Sequence, residues 1–216
     1  TTLRSSRPEL PEVESIRRWL GPRLIGRAVR AATLHRRDVL VLPGDPFGGF
    51  ARQRGPARRA RPRRVRSTDL LAESAIVGLR RRAKQLALIA ASGRVLVVQL
   101  GMSGQLFHRA IGQRVPDTTH IHATWRLDDG RLIFRDPRRF GGLRAFASIA
   151  DLDALWSDLG PDALTIEPGA LGASLANAER PLKAALLDQR VVAGVGNIYA
   201  DEALHAAELA PSRPAS

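Results

Sequence analysis

The stretch Ile121-His122-Ala123-Thr124-Trp125-Arg126-Leu127, continued by Asp128-Asp129-Gly130 and Arg131 to Arg135, decides the fold class. Ile121, Ala123, Trp125 and Leu127 alternate with His122, Thr124 and Arg126, the period of a strand with one buried and one solvated face. That alternation puts His122 on the polar side. Asp-Asp-Gly is turn chemistry, so the chain should double back as a hairpin. Further toward the N-terminus, Gln85 to Ala91 and Arg94 to Leu100 flank Ser92-Gly93, a second hairpin signal. From Ala75 to Phe146 the sequence therefore reads as a half-buried antiparallel sheet, whose apolar face calls for a second layer, as in a sandwich.

Helical patterns lie on both sides. Val13, Ile16 and Leu20 recur at helical spacing, with Pro11 suited to a first turn, Glu12 and Glu14 complementing the dipole, and Gly21-Pro22 as the stop. A strand-like stretch follows near Val29 to Leu42. Past Ala147 the period changes: Leu152, Leu155, Trp156 and Leu159 mark a helix closed by Gly160-Pro161, and Pro181 to Gln189 reads as another. Asn197 reads as the N-cap of a third helix running to about Leu209. The fold class expected is α+β, an N-terminal antiparallel β-sandwich with flanking helices over residues 8–147, then a helical half over 148–216. Residues 43–67, rich in Pro, Gly and Arg, cannot build a core and read as an exposed, mobile insertion.

Composition narrows the partner. The chain has 216 residues, 34 Lys plus Arg against 21 Asp plus Glu, and a formal charge of +13. Such an excess suits a polyanion, because basic groups that neutralise phosphates release condensed counterions. There is no cysteine, which excludes disulfides and thiolate metal sites, and the five histidines are scattered. No apolar run is long enough for a membrane span, and the N-terminus lacks a secretory core, so a cytoplasmic, nucleoid-associated monomer is expected, with no membrane partner.

Several segments carry chemistry. Pro8-Glu9-Leu10-Pro11-Glu12-Val13-Glu14 sets three carboxylates around a helix entry. Met102 occupies a Gly-Met-Ser-Gly turn and Phe140 sits between Arg139 and Gly141, the setting of side chains that fill a base stack once a nucleotide is extruded. Gly194-Val195-Gly196-Asn197 precedes a helix, where free backbone N–H groups can meet a phosphate. These segments, with Asp136-Pro137-Arg138-Arg139-Phe140-Gly141, Arg81-Arg82-Ala83-Lys84, Leu100-Gly101-Met102-Ser103-Gly104 and His120-Ile121-His122, resemble in order the motifs of the formamidopyrimidine-DNA glycosylase and endonuclease VIII family, the former more closely.

The resemblance implies roles. Pro8 would be the nucleophile as an N-terminal amine, Glu9 the acid and base at the opening sugar, Glu12 a supporting carboxylate, and Lys84 a participant in β-elimination. Met102, Arg138 and Phe140 would fill the vacated stack. His120, Arg139, Arg180, Lys183 and Asn197 would contact DNA. An α-amine, with a pKa of about 8, is a better neutral-pH nucleophile than Lys at about 10.4. In the sequence as written Thr1 to Arg7 precede Pro8, where the proline nitrogen is an amide without a usable lone pair. The helical half would be a helix-two-turn-helix segment, incomplete and lacking the family's four-cysteine zinc finger, so no cofactor is expected. The function implied is excision of oxidised purines from damaged duplex DNA in base-excision repair, with cleavage at the abasic site. A non-catalytic relative that binds damaged or abasic DNA, and a general basic nucleic-acid-binding protein, remain as alternatives.

Overall fold

The computed structural model describes residues 8–41, 65–115, 117–176, 178 and 180–215. Most of the Arg-rich insertion expected at 43–67 lies outside the described residues. The elements run α1 (Leu10–Leu24), β1 (Ala28–Leu34), β2 (Ser74–Arg82), β3 (Gln85–Ala90), β4 (Val95–Gln99), β5 (Gln105–Ala110), β6 (Ile121–Leu127), β7 (Gly130–Arg135), β8 (Gly142–Phe146), α2 (Ile149–Trp156), α3 (Pro168–Ala176), α4 (Leu182–Leu187) and α5 (Asn197–Ala206). No helix among the described residues is long and apolar enough to cross a membrane.

Eight strands pair in the order β5-β7-β6-β1-β2-β3-β4-β8, with antiparallel registers such as Trp125 opposite Leu132 and Leu88 opposite Leu96. One apolar cluster takes Trp125, Leu127 and Phe134 from one end of this order and Leu86, Leu88, Leu96 and Val98 from the other. The sheet therefore curls around a shared core, as a sandwich must. Trp125 is buried and donates its indole N–H to the Leu70 carbonyl at 2.8 Å, so its one polar atom is satisfied.

Contacts divide the chain into two compact units, one of Thr1–Pro8, Glu12–Arg81 and Gln85–Leu152, the other of Glu9–Pro11, Arg82–Lys84 and Asp153–Ser216. In the second, α4 and α5 pack Leu182, Leu186, Ala200 and Leu204 around Val192. Residues 188–196 turn the chain between these two helices. The C-terminal segment folds back on α4, where the Leu182 and Lys183 N–H groups donate to the Arg213 and Pro211 carbonyls.

Four local expectations need correction. Helix α1 does not stop at Gly21-Pro22 but runs to Leu24 with Pro22 inside. Leu20 and Leu24 are fully buried, and Arg23 donates from its guanidinium to the Trp19 carbonyl at 2.7 Å, so packing outweighs the proline penalty. The strand near Val29 to Leu42 ends at Leu34, and a 3-10 turn at Arg37–Val39 follows. His122 is buried rather than solvated, because a register shift between Ile121 and Ala123 breaks the alternation. Asn197 is the first residue of α5, and Gly196 is its cap. Helix α3, in a Gly- and Ala-rich stretch, has no counterpart in the sequence reading.

Helix α1 also carries an ion cluster. Glu14, 9% exposed, accepts from Arg17 at 2.7 Å, Arg18 at 2.8 Å and Arg81 at 3.1 Å. Chiefly through Arg17, these bonds hold its carboxyl down at about 2, against 4.5 ordinarily. A depressed carboxylate stabilises the fold fully above its unfolded pKa and loses that contribution as pH falls through the folded value. Stability should therefore drop between about pH 4.5 and 2 by roughly 2 kcal/mol from this group, since Arg17 and Arg18 stay part-solvated. In acid titrations followed by circular dichroism, Glu14→Gln should be less stable at neutral pH and show a shallower acid slope.

Candidate active site and nucleic-acid interface

In the second unit, the β2–β3 turn brings Lys84 to the signature peptide. Lys84 Nζ lies 4.0 Å from a Glu9 carboxylate oxygen, with the two side chains 31% and 12% exposed, and 3.5 Å from the Val195 carbonyl. Burial pushes the Lys84 ammonium below its ordinary 10.5, and the charge of Glu9 pulls the other way. The outcome is an amine held part-desolvated beside one carboxylate, able to give up or take a proton more readily than a surface lysine.

Three neighbours fix this geometry. Ala83, in the left-handed region at φ 49, donates its N–H to the buried Asp162 carboxylate at 3.0 Å. Arg82 donates to the Leu159 and Gly160 carbonyls at 3.1 and 2.7 Å. Gln189 clamps the Gly-rich turn, accepting from the Gly194 N–H at 2.8 Å and donating to the Val195 carbonyl at 2.9 Å. Gly196 is dictated by contact: a Cβ there would sit 2.2 Å from a Glu9 carboxylate oxygen. Neither Asp162 nor Gln189 was singled out in the sequence: Asp162 reaches Ala83 across 79 residues, and Gln189 stands at the end of a helical pattern with nothing in its residue type to mark it as a clamp on the turn that follows.

Of the remaining candidates in this unit, Asn197 is exposed at the start of α5, whose N-terminus has no side-chain cap. Lys183 pairs with Asp201 at 2.6 Å and Arg180 with Asp188 at 2.8 Å. A phosphate would have to compete with those carboxylates. Pro8 is buried and Glu12 half-buried.

In the first unit, two turns lie side by side. Gly101, at φ 62, has no room for a Cβ, which would meet the Phe140 carbonyl carbon at 2.4 Å. The Met102 side chain is 36% exposed. Arg138 is exposed and stacks its guanidinium 4.8 Å from the centre of the half-buried Phe140 ring. Arg139, at φ 57, reaches Asp38 at 3.4 Å. His120 is exposed, also with positive φ.

The fully buried Asp136 ties these pieces together. Its carboxylate accepts from the Ser103 hydroxyl at 2.5 Å and from the Gly141 N–H at 2.7 Å. Ser103 Oγ in turn accepts from the Arg138 N–H at 3.1 Å. The Asp136 N–H donates to the His120 carbonyl at 3.0 Å, and its own carbonyl lies 2.7 Å from His122 Nε2. Sequence reasoning passed over Asp136 and Ser103. The available signal was a carboxylate at a strand end just before Pro137, beside glycines and arginines.

Among the described residues no group of three or more His, Cys, Asp or Glu could hold a metal, and the sequence has no cysteine. A four-thiolate zinc site cannot be formed from these residues, and the chemistry below uses none.

Residues 7–143 match the model of the formamidopyrimidine-DNA glycosylase N-terminal domain, and residues 159–216 match that of the formamidopyrimidine-DNA glycosylase H2TH domain. The chain is 39% identical to the formamidopyrimidine-DNA glycosylase of Rhodopseudomonas palustris strain TIE-1, over 97% of this chain and 70% of that one. Against that of Laribacter hongkongensis identity is 40%, over 96% and 70%. Among solved structures, the Lactococcus lactis enzyme non-covalently bound to DNA containing an AP site matches with a TM-score of 0.75 and 26% identity, covering 96% of this chain and 73% of that one. MutM in complex with DNA containing carbocyclic 8-oxo-G matches at 0.75 and 28%, covering 96% and 71%. The chain belongs to the formamidopyrimidine-DNA glycosylase family.

Proposed function

We infer that this chain is a DNA-repair glycosylase with abasic-site lyase activity, acting as a monomer on oxidised purines in duplex DNA within the nucleoid. What carries the reading is the convergence of Glu9, Lys84 and the Val195-Gly196 turn. Three segments distant in sequence hold one carboxylate and one part-desolvated amine together, against a glycine that leaves room for nothing else.

The chemistry follows from what these groups can do. Pro8, when it is the first residue, offers a secondary amine that is substantially unprotonated near neutral pH. Its nitrogen bonds to the sugar anomeric carbon as the glycosidic bond breaks, the bond pair leaves with the base, and the amine proton passes to the departing base. Glu9 gives a proton to the sugar ring oxygen as the ring opens, leaving an iminium, and later accepts one. Lys84, beside Glu9, sits against a phosphate and favours departure of the phosphate oxygen in β-elimination. Glu12 supports the charge of the helix entry. Met102, Arg138 and Phe140 enter the stack that the extruded nucleotide vacates. His120, Arg139, Arg180, Lys183 and Asn197 hold backbone phosphates, the last through the open end of α5.

The nucleophile is tested by comparing the chain as written with one beginning at Pro8. Borohydride reduction with abasic DNA should trap abundant adduct at Pro8 in the second and little in the first. Tight binding of abasic DNA by the Pro8-initiated chain without any trapped adduct would leave a protein that only binds, and sink the catalytic assignment. Glu9→Gln should abolish excision of an oxidised guanine more completely than cleavage of a ready-made abasic site, because the latter skips glycosidic bond breaking.

Two positioning residues have separable readouts. Gly196→Ala must displace the Glu9 carboxylate, so excision should fall by at least about tenfold, a barrier change of about 1.4 kcal/mol, while the melting temperature moves little. Equal turnover in variant and parent would show that Glu9 does not work from this position. Asp136→Asn leaves the Gly141 N–H facing an amide donor or Ser103 without its acceptor, at a cost of about 1–3 kcal/mol. A fluorescent base opposite the lesion should then report weaker unstacking, with undamaged-duplex affinity largely retained.

A further inference from the structure

The outer face of β5, β7 and β6 carries a ladder of arginines that the glycosylase reading leaves unused. Arg109 stands directly opposite Arg131, and Arg131 directly opposite Arg126. Like charges in register on one face of a sheet repel and lower stability. These three, with Arg30 and Arg114, line a groove of about 1020 Å³ in which Asp128 is the sole carboxylate. Asp128 is taken by Arg30 at 2.5 Å. Among the described residues no carboxylate pairs with Arg109, Arg114, Arg126 or Arg131. A second hollow of about 640 Å³ shares Arg109 and Arg114 and continues past Arg23, whose guanidinium lies 4.1 Å from the centre of the Trp19 ring.

This groove is separate from the Met102 and Phe140 turns. Those turns leave the sheet at the Gln105–Arg135 register pair, while the arginine ladder begins at Arg109–Arg131. Four residues of strand, roughly 13 Å, separate the two registers. The aromatic rings nearby are covered by guanidinium groups, Phe107 by Arg109 at 4.9 Å and Trp19 by Arg23, so bases have no free ring to stack on. What the surface offers is a row of positive forks spaced across adjacent strands, suited to bidentate contacts with phosphate oxygens.

We propose that the Arg109–Arg131–Arg126 groove is a second binding site for duplex-DNA backbone, distinct from the lesion site and indifferent to sequence. It lets the protein hold an undamaged segment while the lesion-reading turns engage another.

The experiment uses the full chain and the triple variant Arg114→Gln, Arg126→Gln, Arg131→Gln. Protein first saturated with an abasic-analogue duplex is offered a second, fluorescently labelled undamaged duplex. The parent should capture it in a salt-dependent manner. The variant should bind it at least about tenfold more weakly, with the slope of log affinity against log salt reduced by about 2–3. Abasic-analogue affinity should be unchanged, and the melting temperature should hold or rise as the in-register repulsion is relieved. Binding of undamaged duplex alone is compared in parent and variant as well, so a failed lesion site and a failed groove give different results. A saturated parent that captures no second duplex, or a variant that captures it as the parent does, overturns the proposal. Preferential, groove-dependent capture of phosphatidylserine vesicles over duplex would overturn it too and assign the groove to a membrane surface.

Discussion

A buried carboxylate organises the two turns that carry Met102 and Phe140. Asp136 is fully removed from solvent, which is costly unless its oxygens are occupied. Ser103 and Gly141 occupy them, and each partner belongs to a different turn. Ser103 follows Met102, and Gly141 follows Phe140, so satisfying one desolvated charge fixes both turns at once. The same residue's backbone ties down His120 and His122. Removing the side chain would strand a hydroxyl and an amide in the interior, which is why the two turns behave as one piece.

The Glu9–Lys84 pair obeys a related constraint with the opposite sign. Lys84 is partly buried, and burial disfavours its charge, while Glu9 at 4.0 Å favours it. Neither effect cancels the other. The net effect lowers the Lys84 ammonium below its ordinary value, burial outweighing the nearby carboxylate. Gly196 and the Gln189 clamp keep this balance by excluding any atom that would separate the two groups.

Much of this was legible in the sequence, for identifiable reasons. Period-two alternation located β6 and β7, and the Ser92-Gly93 and Asp-Asp-Gly turns located the hairpins, because these signals are local. The ordered motifs gathered Glu9, Lys84, Met102, Arg138 and Phe140 as candidates. What failed was decided by tertiary packing. His122 is drawn inside because one extra residue shifts the register of β6. Helix α1 runs through Pro22 because Leu20 and Leu24 have a core to enter. Gly196 rather than Asn197 caps α5 because only a residue without a side chain fits beside Glu9. Asp162 left no local signal, since it holds the Ala83 backbone from 79 residues away, and Gln189 reads as the end of a helical pattern although it clamps the turn just after it.

The distribution of charge separates structural arginines from those held for a ligand. Arg17, Arg18 and Arg81 converge on Glu14, Arg94 on Asp69, Arg135 on Asp117, and Arg190 on Asp188. Each of these carboxylates offsets one of the positive charges gathered on it. Among the described residues the Arg138 guanidinium lies over the Phe140 ring and the Arg109 guanidinium over the Phe107 ring, while Arg131 stands in register between Arg109 and Arg126. The formal charge of +13 is thus not a uniform coat. Among the described residues, Arg138 and the Arg109–Arg131–Arg126 ladder are two places with no carboxylate partner. A fold that needed these arginines only for solubility would gain by interleaving them with carboxylates, as it does around Glu14. Leaving them in register against their own repulsion favours the state in which phosphates stand between them.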